Sequence, residues 1–369
     1  MSFGREVLPY GIFNTAGRGP RVGVAVDEGV LDLADALGAE WAVPSLNPFM
    51  ARGRQVWRTV REQVRDLVDR PLVELADATL HLPFAVGDFV DFYASEQHAT
   101  NLGRMFRPDS EPLLPNWKQL PVGYHGRAGT VTVSGTPVRR PSGLRLPGPV
   151  HGPSAKLDVE VELGFVVGTP SVLGEPVPAA RFEDVVFGAV VVNDWSARDV
   201  QAYEYVPLGP FLGKSFQTSI SPWVVPLDAL PRTAAPAQDP EPAGYLRGGR
   251  DWAFDVELEL ELNGEVLSRP PFAGMYWTAP QLLAHLTGNG ASVRSGDLFA
   301  SGTVSGTERD QRGSLIELSW NGSEPLALRD GSARSFLEDG DEVVIRARTR
   351  TGQSLGEVAG QVLPAHPSA

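Results

Sequence analysis

Cysteine is absent from this 369-residue chain, which excludes disulfides, thiolate nucleophiles and thiolate-bound zinc together and is compatible with a reducing cytoplasm. Histidine is scarce. The six present, His81, His98, His125, His151, His285 and His366, never fall at the spacing of a zinc site. Basic residues are outnumbered by acidic ones, 32 to 45, for a net charge of −13. With no Lys/Arg run to make a local exception, nucleic acid is excluded as a partner and anionic membranes are disfavoured. No apolar run approaches the ~20 residues of a membrane span, and no apolar leader opens the chain. A cytoplasmic location is therefore expected. Two motif searches also fail. No G-x-S-x-G elbow occurs, and Gly209-Pro210-Phe211-Leu212-Gly213-Lys214-Ser215 is one residue short of a phosphate-binding loop, with Pro210 removing a backbone donor.

What is present suits a soluble globular protein: 42% hydrophobic residues and a length that supplies a sizeable core, divided into two or so domains. Residues 10–13, 21–26 and 29–33 are short strand-like runs between Gly, Pro and Asp turns, so the first part of the chain reads as a small β-rich unit. Apolar residues at Met50, Val56, Trp57, Val60, Val64, Leu67 and Val68 predict a helix over 48–69. Past Pro83 the character changes, which puts a boundary near residue 83. The segment from Asp91 to Asn101 reads as a strand end entering a helix. From Pro231 to Arg250 the Pro/Ala-rich composition predicts a surface loop.

The run Lys156-Leu157-Asp158-Val159-Glu160-Val161-Glu162-Leu163 carries the chemistry. As a strand it sets three carboxylates on one face and four aliphatic side chains on the other. Glu160 and Glu162 would lie about 6.6 Å apart, a repulsion of ~2.5 kcal/mol at an effective dielectric near 20. Water or a hard cation must offset it, and oxygen ligands favour calcium or magnesium. Residues 255–262 provide a control: Asp255, Glu257, Glu259 and Glu261 alternate in the same way but run into Asn263-Gly264, a two-residue hairpin turn, and read as a solvated face. Glu160 and Glu162 differ from them in company. Asp194 ends the apolar run 185–192, and Arg198 and Gln201 follow three apart on one helical face.

Several long runs resemble the fumarylacetoacetate hydrolase family: 91–101, 114–117, Pro121 to Arg127, Asn193 to Asp199, Glu204 to Phe216 and Ser301 to Gly306, within a similarity extending from Leu8 to Val343. The resemblance implies a mainly β fold with some α, in which an N-terminal SH3-like barrel (1–83) precedes a catalytic mixed β-roll (84–369). It implies metal-dependent hydrolysis of the carbon–carbon bond of 4-fumarylacetoacetate to fumarate and acetoacetate, with Ca2+ or Mg2+ as cofactor and a homodimer as the assembly. By matching motifs, Asp91, Glu160, Glu162 and Asp194 correspond to metal ligands. His98 and Glu317 correspond to the water-activating pair, and Arg198, Gln201 and Lys214 to the group that stabilises negative charge. Tyr93, Arg107, Tyr124, Gln201, Tyr205 and Thr303 correspond to contacts with a small β-diketo dicarboxylate. Asp194, Lys214 and Thr218 correspond to the surroundings of a second, structural cation. Correspondence is loosest over 141–153 and 231–250.

Apart from the resemblance, His98 reads as a structural helix histidine, Arg107 as a surface cation and Glu317 as a wet strand position. Two rival functions are an acylpyruvate hydrolase or decarboxylase-isomerase of the same superfamily, and a non-catalytic acidic cation-binding protein.

Overall fold

In the computed structural model, residues 2–145 and 149–367 are described; of the loosely matched stretch 141–153, residues 146–148 lie outside them. Glycine- and Asp-punctuated runs near the N-terminus form an antiparallel meander of β1 (Tyr10–Asn14), β2 (Arg21–Val26) and β3 (Gly29–Asp32). β3 stops one residue before the predicted end, because the Asp32 carboxylate accepts the Ala34 amide at 2.9 Å and starts a helical turn. The helix predicted over 48–69 is divided into Asn47–Met50 and α1 (Arg54–Arg65). Gly53 divides it: its φ of 84° is left-handed, a conformation that glycine adopts without a Cβ penalty and that no continuous helix contains. α1 then packs Trp57, Val60 and Val64 against the sheet, with the Trp57 ring edge-on to Phe187 at 5.3 Å.

The elements that carry the site follow. They are β4 (Phe89–Phe92), α2 (Glu96–Phe106), β5 (Gly123–His125), β6 (Val161–Val167), β7 (Val186–Asn193), α3 (Arg198–Glu204), β8 (Thr218–Ile220) and β9 (Trp223–Pro226). After them come β10 (Val256–Leu262), β11 (Glu265–Ser268), β12 (Leu298–Ala300), α4 (Leu315–Leu318), β13 (Glu342–Thr349) and β14 (Ser354–Leu363).

One large mixed sheet runs in the order β3-β2-β1-β9-β7-β6-β12-β4-β5, and a second runs β11-β10-β13-β14. The architecture is mainly β, with short helices at the strand ends. β6 and β7 are buried on both faces. Leu163, Phe165, Ala189 and Val191 enter one core, while Val166, Val190 and Val192 enter the other. Each such Val, Leu or Phe contributes roughly 1.5–3 kcal/mol on burial, so the sheet centre is a rigid platform. The N-terminal meander joins this sheet directly: β1 pairs with β9 through Tyr10↔Val224 and Gly11↔Trp223. Only glycine fits at residue 11, since a Cβ there would meet the Trp223 ring at 2.5 Å. The Pro231–Arg250 segment is chiefly loop, as expected, but it is pinned by Gln238, which donates to the Tyr276 carbonyl at 2.7 Å.

Candidate active site

Strand register assembles the acidic cluster. β12 lies between β6 and β4, pairing Ala300 with Gly164 on one side and with Asp91 on the other, so Asp91 comes to the same end of the sheet as Glu162. Leu157–Asp158 pairs with Ser196–Ala197 and sets Asp158 beside Arg198, while a bridge between Glu160 and Ser314 brings in α4. The predicted strand 156–163 is therefore two pieces, Leu157–Asp158 and the start of β6, and neither face is wet. Asp91, Glu160 and Glu162 present carboxylate oxygens within 4.8 Å of one another, all buried.

This donor set fits a hard dication. Both oxygens of Glu162 are buried with no hydrogen-bond partner, a costly arrangement for protein groups alone. Burial drives the pKa values of Glu162 and Asp91 well above the carboxylate range, and neighbouring carboxylates push them the same way. Every ligand atom in this triad is oxygen, the donor that hard cations prefer.

Asp194 stands beside this triad rather than within it. Its Oδ1 accepts the Thr218 hydroxyl at 2.6 Å, and its Oδ2 accepts the Tyr124 hydroxyl at 2.6 Å and the Lys214 ammonium at 2.7 Å. Lys214 also donates to Glu160. Burial opposes the Lys214 charge, but Asp194 and Glu160 outweigh it and raise its pKa above the usual lysine value. The residue that mimicked a phosphate loop is thus a buried counter-ion.

Arg198, at the start of α3, donates through Nε to Asp158 at 2.8 Å and through Nη1 to Gln201 at 3.2 Å. The helical pairing of Arg198 with Gln201 is as the sequence indicated. Its Nη2 lies 2.7 Å from Glu160 without hydrogen-bond alignment. Burial opposes ionisation of Glu160, yet Arg198, Lys214 and His98 hold its pKa well below the usual carboxylate range.

His98 is buried on α2, whose N-cap Ser95 accepts the His98 amide. Its Nδ1 lies 2.6 Å from Glu317 Oε2, and its Nε2 lies 3.8 Å from Glu160 Oε1 on the cation side. Glu317 is not a wet strand residue. It sits fully buried in α4, a single helical turn whose first amides, Leu315 and Ile316, bond to Asp158 at 2.8 and 3.2 Å. Burial would raise the Glu317 pKa, but His98 and hydrogen bonds from Asn101 and Ser314 bring it down to about 2. An ionised Glu317 can only accept, so Nδ1 carries the proton of that bond and Nε2 is the ring nitrogen that faces the acidic cluster.

The predicted substrate contacts are dispersed. The Tyr93 ring stands edge-on to His98 at 5.3 Å, and the buried Thr303 hydroxyl has no partner. Arg107 closes α2 and donates to the Pro112 carbonyl at 2.7 Å, while Tyr205 is 43% exposed at the end of α3. Neither Arg107 nor Tyr205 contacts the carboxylates. A cleft of about 490 Å³ opens along the β4–β5 edge, where it is lined by Val90, Phe92, Gly123 and His125; its lining shares only Tyr124 with the cluster. The supporting roles of four residues escaped the sequence reading. Asn101 donates to Glu317 Oε1 at 2.9 Å, Ser305 and Ser314 donate to Oε2 at 2.9 and 2.7 Å, and Asp158 clamps both Arg198 and α4. Asn101 lies three residues after His98 on one helix face and could have been found from that spacing; the serines carry no such signal.

Comparison with known proteins identifies the family. Residues 89–363 match the family model of the fumarylacetoacetate (FAA) hydrolase C-terminal region, and residues 6–83 match that of the fumarylacetoacetase N-terminal region. The chain is 46% identical to the fumarylacetoacetase of Homo sapiens, with 97% of this chain and 95% of that protein covered. It is 40% identical to that of Arabidopsis thaliana, covering 98% and 95%. Among solved structures, the fold is similar to a fumarylacetoacetate hydrolase from Exiguobacterium antarcticum (TM-score 0.61, 20% identity, 97% and 100% covered) and to a maleylpyruvate hydrolase from Sphingobium (TM-score 0.57, 17% identity, 97% and 100% covered). With two family models spanning nearly its whole length and relatives this similar from end to end, the chain belongs to the fumarylacetoacetase family.

Proposed function

We propose that the protein hydrolyses 4-fumarylacetoacetate to fumarate and acetoacetate. The observation that carries this reading is the buried His98–Glu317 pair, with Nε2 turned toward a carboxylate triad. Asp91, Glu160 and Glu162, with Asp194 beside them, would hold Ca2+ or Mg2+, which when bound supplies Lewis-acid polarisation of the diketone oxygens. The chain's own groups carry out the remaining steps. His98 Nε2 takes a proton from water, and Glu317 holds the imidazole in the required tautomer and offsets the charge it gains. The water oxygen bonds to the ketone carbon of the fumaryl group, the one attached to its carbon–carbon double bond. The carbon–carbon bond then breaks, its electron pair passes to the acetoacetate carbon as an enolate, and the imidazolium proton completes acetoacetate. Arg198, Gln201 and Lys214 supply donors for the developing oxyanion. Arg107, Tyr93, Tyr124, Tyr205 and Thr303 suit the carboxylate ends of the substrate, where a guanidinium fork bonds two oxygens.

In the same reading, residues 1–83 form the SH3-like unit and 84–369 the catalytic roll. Asp194, Lys214 and Thr218 border a structural cation, although a protonated Lys214 has no lone pair to give and acts there as a charge. The enzyme works as a homodimer in the cytoplasm; the cysteine-free composition supports that compartment, and no helix among the described residues is long and apolar enough to cross a membrane.

Incubation of the purified protein with 4-fumarylacetoacetate and magnesium or calcium, with fumarate and acetoacetate quantified, tests the reading. Equimolar release of both products supports it. Hydrolysis of an acylpyruvate with none of 4-fumarylacetoacetate would move the protein to a neighbouring branch of the superfamily.

A further inference from the structure

A second buried site lies far from the carboxylates, where α1 packs on β7 and β9. A cavity of about 30 Å³ there is lined by Tyr10, Arg61, Arg54, Arg58, Glu183 and Asp228, among others. The Tyr10 hydroxyl and Arg61 Nε are both buried and have no partner. Tyr10 is 1% and Arg61 4% exposed. The rest of the Arg61 guanidinium is anchored, since Nη1 donates to the Val7 carbonyl at 2.9 Å and Nη2 to that of Glu6. Those partners are neutral. Arg54, by contrast, is paired with Glu183 and Asp184, and Arg58 with Asp228 at 3.2 Å.

Arg54 and Arg58 are thus each paired with carboxylates, whereas the buried Arg61 makes hydrogen bonds only to carbonyls and has Asp228 as its nearest favourable charge beyond hydrogen-bond reach. A buried guanidinium without a hydrogen-bonded carboxylate and a buried donor without an acceptor both weigh against the fold unless something fills the cavity. We propose that this cavity binds one small monovalent anion of chloride size, held by Arg61 Nε and the Tyr10 hydroxyl. The volume exceeds the ~10–15 Å³ that a single water needs, and both unsatisfied groups are donors, which is the complement of an anion. Burial raises the Tyr10 pKa, with Arg61 opposing, so the phenol keeps the proton it would donate. Arg61 belongs to the N-terminal unit and the far wall of the cavity, Val186, Phe187 and Pro226, to the central sheet. The anion would thus tie the two together.

The test is denaturant unfolding of the full chain in potassium chloride and potassium gluconate series at fixed ionic strength and pH. A saturable stabilisation by chloride is expected. At about nine times its dissociation constant, chloride lowers the unfolding equilibrium constant about tenfold. Tyr10→Phe preserves the ring packing and removes one charge-assisted donor, so it should move half-saturation to about tenfold higher chloride. Crystals grown in bromide should show one anomalous peak between Tyr10 and Arg61. Identical unfolding in the two salts, an unchanged chloride response in Tyr10→Phe, or a water in place of bromide would each overturn the proposal.

Discussion

Residues 156–163 and β10 carry nearly the same alternation of carboxylates and aliphatic side chains, and the fold treats them in opposite ways. Across from β10 lies β13, whose Arg346 pairs in register with Glu259 and donates to Glu261 at 2.6 Å; Arg269 reaches Glu259 at 3.0 Å, and Glu257 is exposed. β10 turns through Asn263 and Gly264, both at positive φ, as the hairpin signal predicted. Glu160 and Glu162 are instead buried within 4.8 Å of Asp91, and although Arg198 and Lys214 reach Glu160, both oxygens of Glu162 are left without a hydrogen-bond partner. Arginine at half-exposed positions makes an ordinary wet face, with each pair worth about 0–1 kcal/mol. Carboxylates clustered in the protein interior, with one of them unpartnered, make a site that could hold a cation. An alternating acidic strand is therefore uninformative until its neighbours are known.

The largest separation between the two strands should appear in turnover. Glu160→Gln or Glu162→Gln should reduce hydrolysis to the assay floor, whereas Glu257→Gln and Glu259→Gln should leave rate and metal content within twofold, a null expectation for solvated positions. Equal losses from both strands would break the comparison. Exhaustive chelation should reproduce the Glu162→Gln defect in the wild type, with calcium or magnesium restoring activity better than zinc. His98→Ala comes next, with a fall in kcat of roughly 10²–10⁴-fold and little change in metal content. Arg107→Ala should instead raise KM. Wild-type turnover in His98→Ala would remove the general base.

Stability measurements sharpen the contrast further. In metal-stripped protein at neutral pH, Glu162→Gln should resist denaturant better than the wild type while remaining inactive, because it removes a buried carboxylate whose pKa burial has raised. Glu257→Gln should show no such gain. Glu317 has the opposite sign. Its folded pKa of about 2 lies below the ordinary 4.5, so its contribution is complete above pH ~4.5 and is lost as pH falls through about 2. That contribution is worth roughly 3 kcal/mol. The stability deficit of Glu317→Gln, measured at stepwise lower pH, should shrink across that window; a deficit independent of pH would contradict the assignment. The smallest effect belongs to the control strand. Arg346→Ala should cost about 1 kcal/mol or less, read as a shift in the denaturant midpoint.

The sequence made local features legible where they rest on local physics. The strands of the N-terminal meander, the Asn263-Gly264 turn, the apolar β7 and the helical Arg198–Gln201 pair all follow from spacing or turn chemistry. Gly53 shows the limit, since hydrophobic periodicity runs straight across a residue whose backbone ends a helix. Glu317 shows it more sharply: its run reads as a half-exposed strand, but Asp158, distant in sequence, captures the amides of Leu315 and Ile316 and folds the run into a turn. The roles assigned to His98 and Glu317 came from resemblance to a family rather than from their own spacing. Their partners, Ser305 and Ser314, depend on contacts that only the assembled sheet provides.

The seam between β1 and β9 has a consequence for how the chain could be divided. Residues Tyr10 and Gly11 occupy the backbone of Val224 and Trp223 on one side, and Phe3 lies edge-on to the Trp223 ring at 6.2 Å. A polypeptide begun at residue 84 would present that flank of β9 as a bare, apolar strand edge, the geometry that recruits strands from other molecules. Such a fragment is expected to self-associate even with every catalytic side chain present, and the N-terminal unit acts, in that sense, as a built-in guard against aggregation.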